Sequence, residues 1–365
     1  MTFKHKYPRL LPVLLLTFAM SCTKQETITK QETLRPIVFN PSVDFRAGGE
    51  NSTKAITSPT ETDTLLLSDY SIYSSAFYTD PEFPATSGDF FTGIRFDYDE
   101  TSGGWIPAAP AAPAAPDASA PAPEIFWPLA GEGNGLDFLA VATDIDSLDI
   151  ASTLLWAGQD DSFLHGERNV HGVKMTMPES YCSTEILYAI ASQKCNDKSP
   201  VKMTFKHTQC CLEFHIRLQA NLDSLLRLNR IVVEDAYSTG ECRIETHPIV
   251  KLIWNFGGSE LHSKEVPHVK ESTPVTKSKP LTYSMVLPPQ QVRDISFHFQ
   301  QRSSDTDPDK WEELSVHPVY RATPLQTTWE AGKKYIFEVI IKFGEIVIEP
   351  TVAEWTDGED IVIPV

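Results

Sequence analysis

Short runs of β-branched and aromatic residues, separated by clusters of Gly, Pro, Asn, Asp and Ser, make up most of the chain beyond residue 35. The clearest run, residues 334–343, places Tyr335, Phe337, Val339, Ile341 and Phe343 on one face and Glu338 and Lys342 on the other. A period of two predicts a strand with one buried and one solvated face. Because such runs recur and helical periodicity is scarce, the sequence predicts an all-β fold.

Runs of this kind predict strands at residues 36–45, 68–78, 93–98, 135–143, 201–218, 281–287, 295–301, 334–343, 346–348 and 361–365. Two segments, residues 223–229 and parts of 180–192, are compatible with one or two helical turns. Within 201–218, Phe205 is apolar at an odd position whereas Phe214 is apolar at an even one. A one-residue shift exchanges the faces of a strand, so we expect a β-bulge or a break near residues 207–211.

The first 22 residues have the features of an export signal. A basic start precedes an almost wholly apolar segment at residues 10–20, and Ser21 then puts a small residue before Cys22. The apolar segment is too short to span a bilayer and suits a signal peptide. The position of Cys22 resembles that of the lipidated cysteine in bacterial lipoprotein signals, and the alternative is an ordinary signal peptide. Residues 23–34 are polar and predict a tether.

Composition limits the function classes. The chain has 365 residues and a formal net charge of −18, which makes nucleic acid an unfavourable partner. It contains six cysteines. If Cys22 carries lipid, an odd number remains, so not every thiol can pair within one chain. Cys182 and Cys195 form the easiest pair to envisage.

The length suits two domains. The polar, turn-rich segment 194–200 predicts a boundary, which gives an N-terminal domain at residues 35–197 and a C-terminal domain at residues 198–365. Residues 107–123 are rich in Pro and Ala and predict an extended, exposed insertion inside the first domain.

Candidate chemical sites are weak. On one strand, His207, Cys210, Cys211 and His215 cannot all converge, because Cys211 and His215 share a face that Cys210 does not. The acidic segment 305–309 lacks the glycine and the bidentate glutamate of a calcium loop. The sequence shows none of the common nucleophile, metalloprotease or phosphate-loop motifs. We therefore expect a non-enzymatic protein without a cofactor or a metal.

The ordered motifs resemble the fimbrillin-like proteins of Bacteroidales, which build type V pili. Besides the signal ending at Cys22, the resemblance rests on the segments 126–142 (FWPLAGEGNGLDFLAVA), 201–207 (VKMTFKH) and 329–335 (WEAGKKY), the last of which precedes 350–355 (PTVAEW). It implies two transthyretin-like β-sandwich domains in series. It also implies a pilus subunit of the cell outer membrane, with shaft, accessory or tip as possible positions.

The resemblance further implies assembly by strand exchange, in which an arginine-specific protease removes an N-terminal strand and a neighbouring subunit donates another. The matching parts are an apolar strand carrying Ile37, Phe39, Val43 and Phe45, and a cleavage site between Arg46 and Ala47. Arg46 is alternatively an ordinary loop residue, or uncleaved as in anchor subunits. Lys54 is a second candidate cleavage site for a protease that accepts lysine. Ile361 and Ile363 mark a C-terminal strand that is either donated or resident.

The expected partners are other pilus subunits, outer-membrane lipid through Cys22, and a receptor on a host or bacterial surface. A second hypothesis is a non-catalytic, glycan-binding surface lipoprotein. It would use exposed aromatic side chains such as Trp105 and Trp127 to stack on sugars.

Overall fold

A computed structural model describes residues 36–43, 70–79, 89–99, 101, 104–108, 124–128, 135–143, 154–156, 164–165, 168–169, 172–177, 185–197, 199–219, 226–246, 250–270, 272–302, 310–316, 328–342 and 345–355. Residues 35–365 form one compact unit. The described residues form strands and turns and contain no helix, which confirms the predicted all-β class. In these same ranges, no helix has the length and apolarity needed to cross a membrane.

The strands, in chain order, are β1 (Phe39–Val43), β2 (Ser71–Thr79), β3 (Asp89–Asp99), β4 (Gly104–Pro107), β5 (Gly135–Thr143), β6 (Leu154–Trp156), β7 (Leu164–His165), β8 (Arg168–Asn169), β9 (Gly172–Met177), β10 (Ile186–Lys194), β11 (Val201–His207), β12 (Cys210–Leu218), β13 (Leu226–Ala236), β14 (Gly240–Glu245), β15 (Lys251–Asn255), β16 (His262–Glu265), β17 (Thr273–Pro274), β18 (Leu281–Leu287), β19 (Gln290–Gln291), β20 (Ile295–Arg302), β21 (Trp311–Val316), β22 (Thr328–Trp329), β23 (Lys333–Lys342) and β24 (Glu345–Glu354).

Seven strands close into a barrel in the order β1-β11-β10-β5-β2-β3-β4. The pairs are antiparallel except for β1 with β11, which are parallel. Strands β5 and β10 pair over nine residues, from Gly135 opposite Lys194 to Thr143 opposite Ile186. These two strands therefore form a long antiparallel ladder in the barrel wall.

Barrel strands β2 and β5 and the first half of β10 bury both of their faces. On β5, Phe138 and Ala140 face the barrel interior, whereas Leu139 and Val141 face outward against a second sheet of order β15-β14-β9-β6. Burial on both faces explains why residues 138–142 are a continuous apolar run rather than an alternating one.

A β-sandwich encloses the largest core among the described residues. Its two sheets have the orders β18-β12-β23-β24 and β16-β13-β20-β21, and β12 and β23 run parallel over eight residues. The predicted inward face of β23 is confirmed for Tyr335, Phe337, Val339 and Ile341. The opposite face is less solvated than expected, because Ile336 and Ile340 are also buried.

The predicted irregularity near residues 207–211 is a break. Strand β11 ends at His207 and faces the barrel core, whereas β12 begins at Cys210 and faces the sandwich core. The buried residues Thr208 and Gln209 lie between them and both bond to the backbone of Ile186. The Thr208 hydroxyl donates to the Ile186 carbonyl at 2.9 Å, and the Ile186 N–H donates to Gln209 Oε1 at 2.9 Å. The break therefore connects two cores.

The predicted division at residues 197/198 does not match the division between these cores. Strand β11 and the β14–β15 hairpin lie after residue 198, yet they pack with strands of the first half of the chain. The two-domain organisation stays a prediction, and the described cores interleave segments from both halves.

The two helical expectations are wrong for the residues that the structure describes. Residues 226–229 belong to β13 and residues 186–192 belong to β10, whereas residues 180–184 and 223–225 lie outside the described ranges. Of the Pro/Ala-rich insertion, Pro107 ends β4, and residues 109–123 lie outside the described ranges.

Candidate functional site

The N-terminal strand β1 and the buried surface beneath it form the candidate site, which we call the β1 seat. Ile37 and Phe39 are 1% and 2% exposed, whereas Val38 between them is 37% exposed. The Phe39 ring meets Phe96 at 4.4 Å and Phe138 at 5.7 Å between centroids, both edge to face. Alternate side chains thus anchor this short segment in the barrel core.

Backbone bonds hold β1 unequally on its two sides. Phe39–Val43 pairs in parallel with β11 from Val201 to Phe205, whereas toward β4 the strand register contains one pair, Phe39 with Trp105. Just before β1, the Ile37 N–H donates to the Ile125 carbonyl and the Val201 N–H donates to the Val38 carbonyl, each at 2.9 Å. The barrel is therefore closed by one short strand with few backbone links to β4.

Loss of β1 would uncover an apolar strip of the barrel core that includes Phe96, Trp105 and Phe138. It would also leave one edge of β11 without its partner strand. Any extended segment with apolar residues at alternate positions matches such a seat.

The predicted site residues are divided between described and undescribed parts of the chain. Ile37 and Phe39 lie in the β1 seat, and the backbone of Val43 lies opposite Phe205. The other predicted residues lie outside the described ranges: Cys22, Phe45, Arg46, Ala47, Ile361 and Ile363. Cys182 is also outside them, so the pairing with Cys195 stays a prediction.

The His/Cys motif diverges as strand geometry requires. Cys210 faces the sandwich core, whereas Cys211 and His215 lie on the opposite face of β12. Burial raises the pKa of the Cys210 thiol to about 12 and raises that of Cys211 well above its usual range. Within the described ranges, no three His, Cys, Asp or Glu side chains are grouped as a metal site requires. The acidic segment 305–309 lies outside those ranges.

A charged cluster covers the β12–β23 pair. His215 bonds Glu213 at 2.5 Å and Glu338 at 2.7 Å, and the Lys334 ammonium is 3.4 Å from Glu213. The bond to Glu213 raises the pKa of His215 to about 9 against the opposing effect of burial, and Glu338 adds to the rise. Burial alone would raise the pKa of Glu213, but the bonds from His215 and Lys334 lower it. The cluster stabilises the charged forms of His215 and Glu213 on the outer face of this strand pair.

A second buried polar group joins distant segments, and the sequence reasoning missed it. The His207 ring stacks on Trp355 at 3.8 Å between centroids, with its Nδ1 against Glu185 Oε1, and the Tyr70 hydroxyl donates to Glu185 Oε2 at 3.0 Å. The burial of His207 and Glu185 shows that the end of β24 is fixed against the barrel. The only sequence signal was the presence of Trp355 in the 350–355 segment.

The aromatic residues chosen for the glycan hypothesis are in the wrong place for it. Trp105 and Trp127 are 3% and 5% exposed and pack in the barrel core. Neither indole has a free face for a sugar, so the hypothesis is wrong for these two residues.

The family comparison identifies the chain. A sequence model described as fimbrillin-like matches residues 114–355, about two thirds of the chain. No curated relative matches the sequence. The matched region begins within the Pro/Ala-rich insertion and ends at Trp355, so it lies beyond β1.

Several solved structures are similar to this chain over most of its length. A putative cell adhesion protein from Bacteroides uniformis is 11% identical, with 88% of this chain and 99% of that chain covered and a TM-score of 0.46. A fimbrial protein from Bacteroides vulgatus is 12% identical, with coverages of 88% and 100% and a TM-score of 0.49. The tip fimbrial protein Mfa3 from Porphyromonas gingivalis is 11% identical, with coverages of 78% and 94% and a TM-score of 0.40.

The fold and the family match together define an all-β, structural and non-catalytic class of surface protein. The chain belongs to the fimbrillin-like family. Its role is that of a pilus subunit, which acts in a cell-surface appendage together with other subunits.

Proposed function

We propose that this chain is exported as a lipoprotein and assembled into the pilus by exchange of its N-terminal strand. Cleavage between Arg46 and Ala47 would release β1, and a strand from another subunit would occupy the β1 seat. The position in the pilus as shaft, accessory or tip subunit is open in this proposal. The observation that carries it is the burial of Ile37, just before β1, and of Phe39 on β1, a strand that ends three residues before Arg46.

The geometry of β1 supports release better than that of an internal strand would. Strand β1 is the first strand that the structure describes, spans five residues and has one register pair with β4. Removing it breaks no other strand connection, because every other barrel strand follows it in the sequence. The exposed seat would then favour association, since uncovered apolar surface is stabilised by burial.

The donated strand is proposed to be the C-terminal segment with Ile361 and Ile363. Its alternation of apolar residues at 361, 363 and 365 resembles that of Ile37 and Phe39. It follows Trp355, whose indole is fixed against His207, so residues 356–365 would be available to reach a neighbour.

The proposed location is the outer membrane and the pilus on its outer side, reached through the signal and a lipid on Cys22. Maturation at Arg46 would separate the subunit from that lipid. An uncleaved chain would stay tethered as an anchor, and the N-terminus of protein from the cell surface distinguishes the two states.

The test treats the purified full chain with an arginine-specific protease and follows its N-terminal mass and its SDS-stable multimers. We expect a chain starting at Ala47 and a ladder of multimers. Arg46→Ala should abolish both, whereas the control Arg230→Ala, at an exposed arginine on β13, should leave both unchanged. Cleavage at Ala47 without multimers would contradict strand exchange.

A peptide competition test isolates the seat itself. A synthetic peptide of residues 36–45 should bind the cleaved chain and prevent the ladder, because it restores the lost strand. The same peptide with Phe39→Ala lacks the ring that contacts Phe96 and Phe138 and should compete poorly. Deleting residues 356–365 should leave cleavage intact and stop multimer growth. If the deleted chain still multimerises, the C-terminal segment is not the donor.

A further inference from the structure

A basic and aromatic cluster lies on the outward face of the sheet β16-β13-β20-β21. It consists of Arg227 on β13, Arg302 on β20 and Trp311 on β21, and we call it the Arg–Trp cluster. Leu226, next to Arg227, and Phe299, three residues before Arg302, point into the sandwich core. Alternation therefore places the cluster on the outer face, where all three side chains are partly exposed.

The three side chains converge across the sheet. The Arg227 guanidinium carbon is 3.9 Å from the centroid of the Trp311 ring, a cation–π contact. Arg302 is directly opposite Trp311 in the β20–β21 register. Because β20 separates β13 from β21 by about 10 Å in all, Arg227 and Trp311 must reach over β20 toward each other.

The two arginines of the cluster lack the carboxylate partners that Arg230 and Arg95 have in the described chain. Arg230 is 3.4 Å from Glu265, and Arg95 is 2.6 Å from Asp97. Arg227 and Arg302 form no ion pair with any described residue, and the buried Nε of Arg302 has no hydrogen-bond partner. The chain carries 49 acidic and 31 basic residues, so carboxylates are abundant. Two neighbouring guanidinium groups without a counter-ion are stabilised by a bound anion.

Neutral polar groups complete the surroundings. Gln300 lies opposite Arg227 on β20, and its Oε1 accepts a bond from the Ser272 hydroxyl at 3.4 Å. Glu313, opposite Gln300 on β21, is an exposed acidic side chain on the same face. It adds a repulsive charge at one side of the cluster, so an anion is expected nearer to Arg302.

We propose that the Arg–Trp cluster binds the carboxylate of an acidic sugar in an anionic glycan. Guanidinium groups bind carboxylates through two parallel bonds, and an indole offers an apolar surface to sugar C–H groups. A flat ring with one cation over it, a second cation at the opposite register position and an amide nearby matches a ring-shaped ligand that has one carboxylate and several hydroxyls. An acidic peptide would need the cations but not the ring. This binding site is separate from the β1 seat and does not depend on strand exchange.

The test measures binding of the full chain to immobilised polygalacturonate and polysialic acid at low salt, beside the methyl-esterified form of each. Esterification removes the charge and keeps the sugar, so we expect at least about tenfold tighter binding to the free acids. Arg302→Gln and Trp311→Leu should each weaken binding about tenfold. The matched control Arg230→Gln removes a paired arginine from the same sheet and should change binding less than twofold. Glu313→Gln should tighten it.

Three results would overturn the proposal. One is equally tight binding to the acid and ester forms, or no binding to either form. Another is binding to polyglutamate as tight as to the glycans, which would make the partner an acidic polypeptide. The third is an equal loss in Arg230→Gln and Arg302→Gln, which would indicate general electrostatic attraction. Thermal unfolding of each variant separates loss of binding from loss of fold.

Discussion

Replacing Phe39 with alanine tests whether β1 is an integral part of the barrel. The ring is 2% exposed and is held edge to face by Phe96 and Phe138. Burial and the remaining cavity make Phe→Ala in a core cost about 3 to 5 kcal/mol. Each of the two aromatic contacts accounts for about 0.5 to 1.5 kcal/mol of the lost stability. We expect the free energy of unfolding to fall by about 3 to 4 kcal/mol.

The assay is urea unfolding of the full chain, with Val38→Ala as the matched control. Val38 is the neighbouring residue and is 37% exposed, so its truncation should cost less than about 1 kcal/mol. Equal small losses in both variants would refute the reasoning. Such a result would mean that β1 leaves the barrel before the rest unfolds, and hydrogen exchange at β11 would then show early opening.

Two further predictions concern charge and backbone geometry. The pKa of His215 is raised from 6.5 to about 9. The stabilisation from the protonated imidazole is therefore fully present below about pH 6.5 and is lost as pH rises toward 9. The pKa of Glu213 is lowered, so the stabilisation from its ionised carboxylate is present above pH 4.5 and is lost as pH falls below that value. Unfolding free energy should therefore drop by about 1 to 2 kcal/mol between pH 6.5 and 9, after screening, and His215→Gln should remove that drop. A pH-independent difference between the two proteins would contradict this. Gly93→Ala should destabilise by more than about 2 kcal/mol, because φ is +63° and the new Cβ would lie 2.7 Å from Trp156 Nε1. Gly258→Ala, with φ of +85° and open space around it, is the control and should cost about 1 kcal/mol by thermal unfolding. Equal losses would show that the contact with Trp156 is unimportant.

The local pattern of the sequence determined the strands and many of their faces. Alternation in residues 334–343 gave the inward side of β23, and the change of phase between Phe205 and Phe214 predicted the break after β11. Both succeed because side chains on a strand alternate with a period of two, which does not depend on the partner strand.

The partners of each strand were decided by tertiary structure. Residues 226–229 and 186–192 have weak helical patterns, yet they form strands because β13 and β10 are paired on both sides. Strand preference depends on such neighbours more than on the residue itself. The same reason explains why β11 joins the barrel despite following the predicted boundary at 197/198.

The functional surfaces divide in the same way. The apolar alternation of Ile37 and Phe39 marked them as one side of a strand, and the family motifs indicated a fimbrillin-like chain. Only the tertiary structure placed Trp105 and Trp127 inside the barrel and brought Arg227 to Trp311 across β20. These residues are far apart in sequence, and sequence periodicity carries information about the face of a strand but not about the strand that will lie beside it.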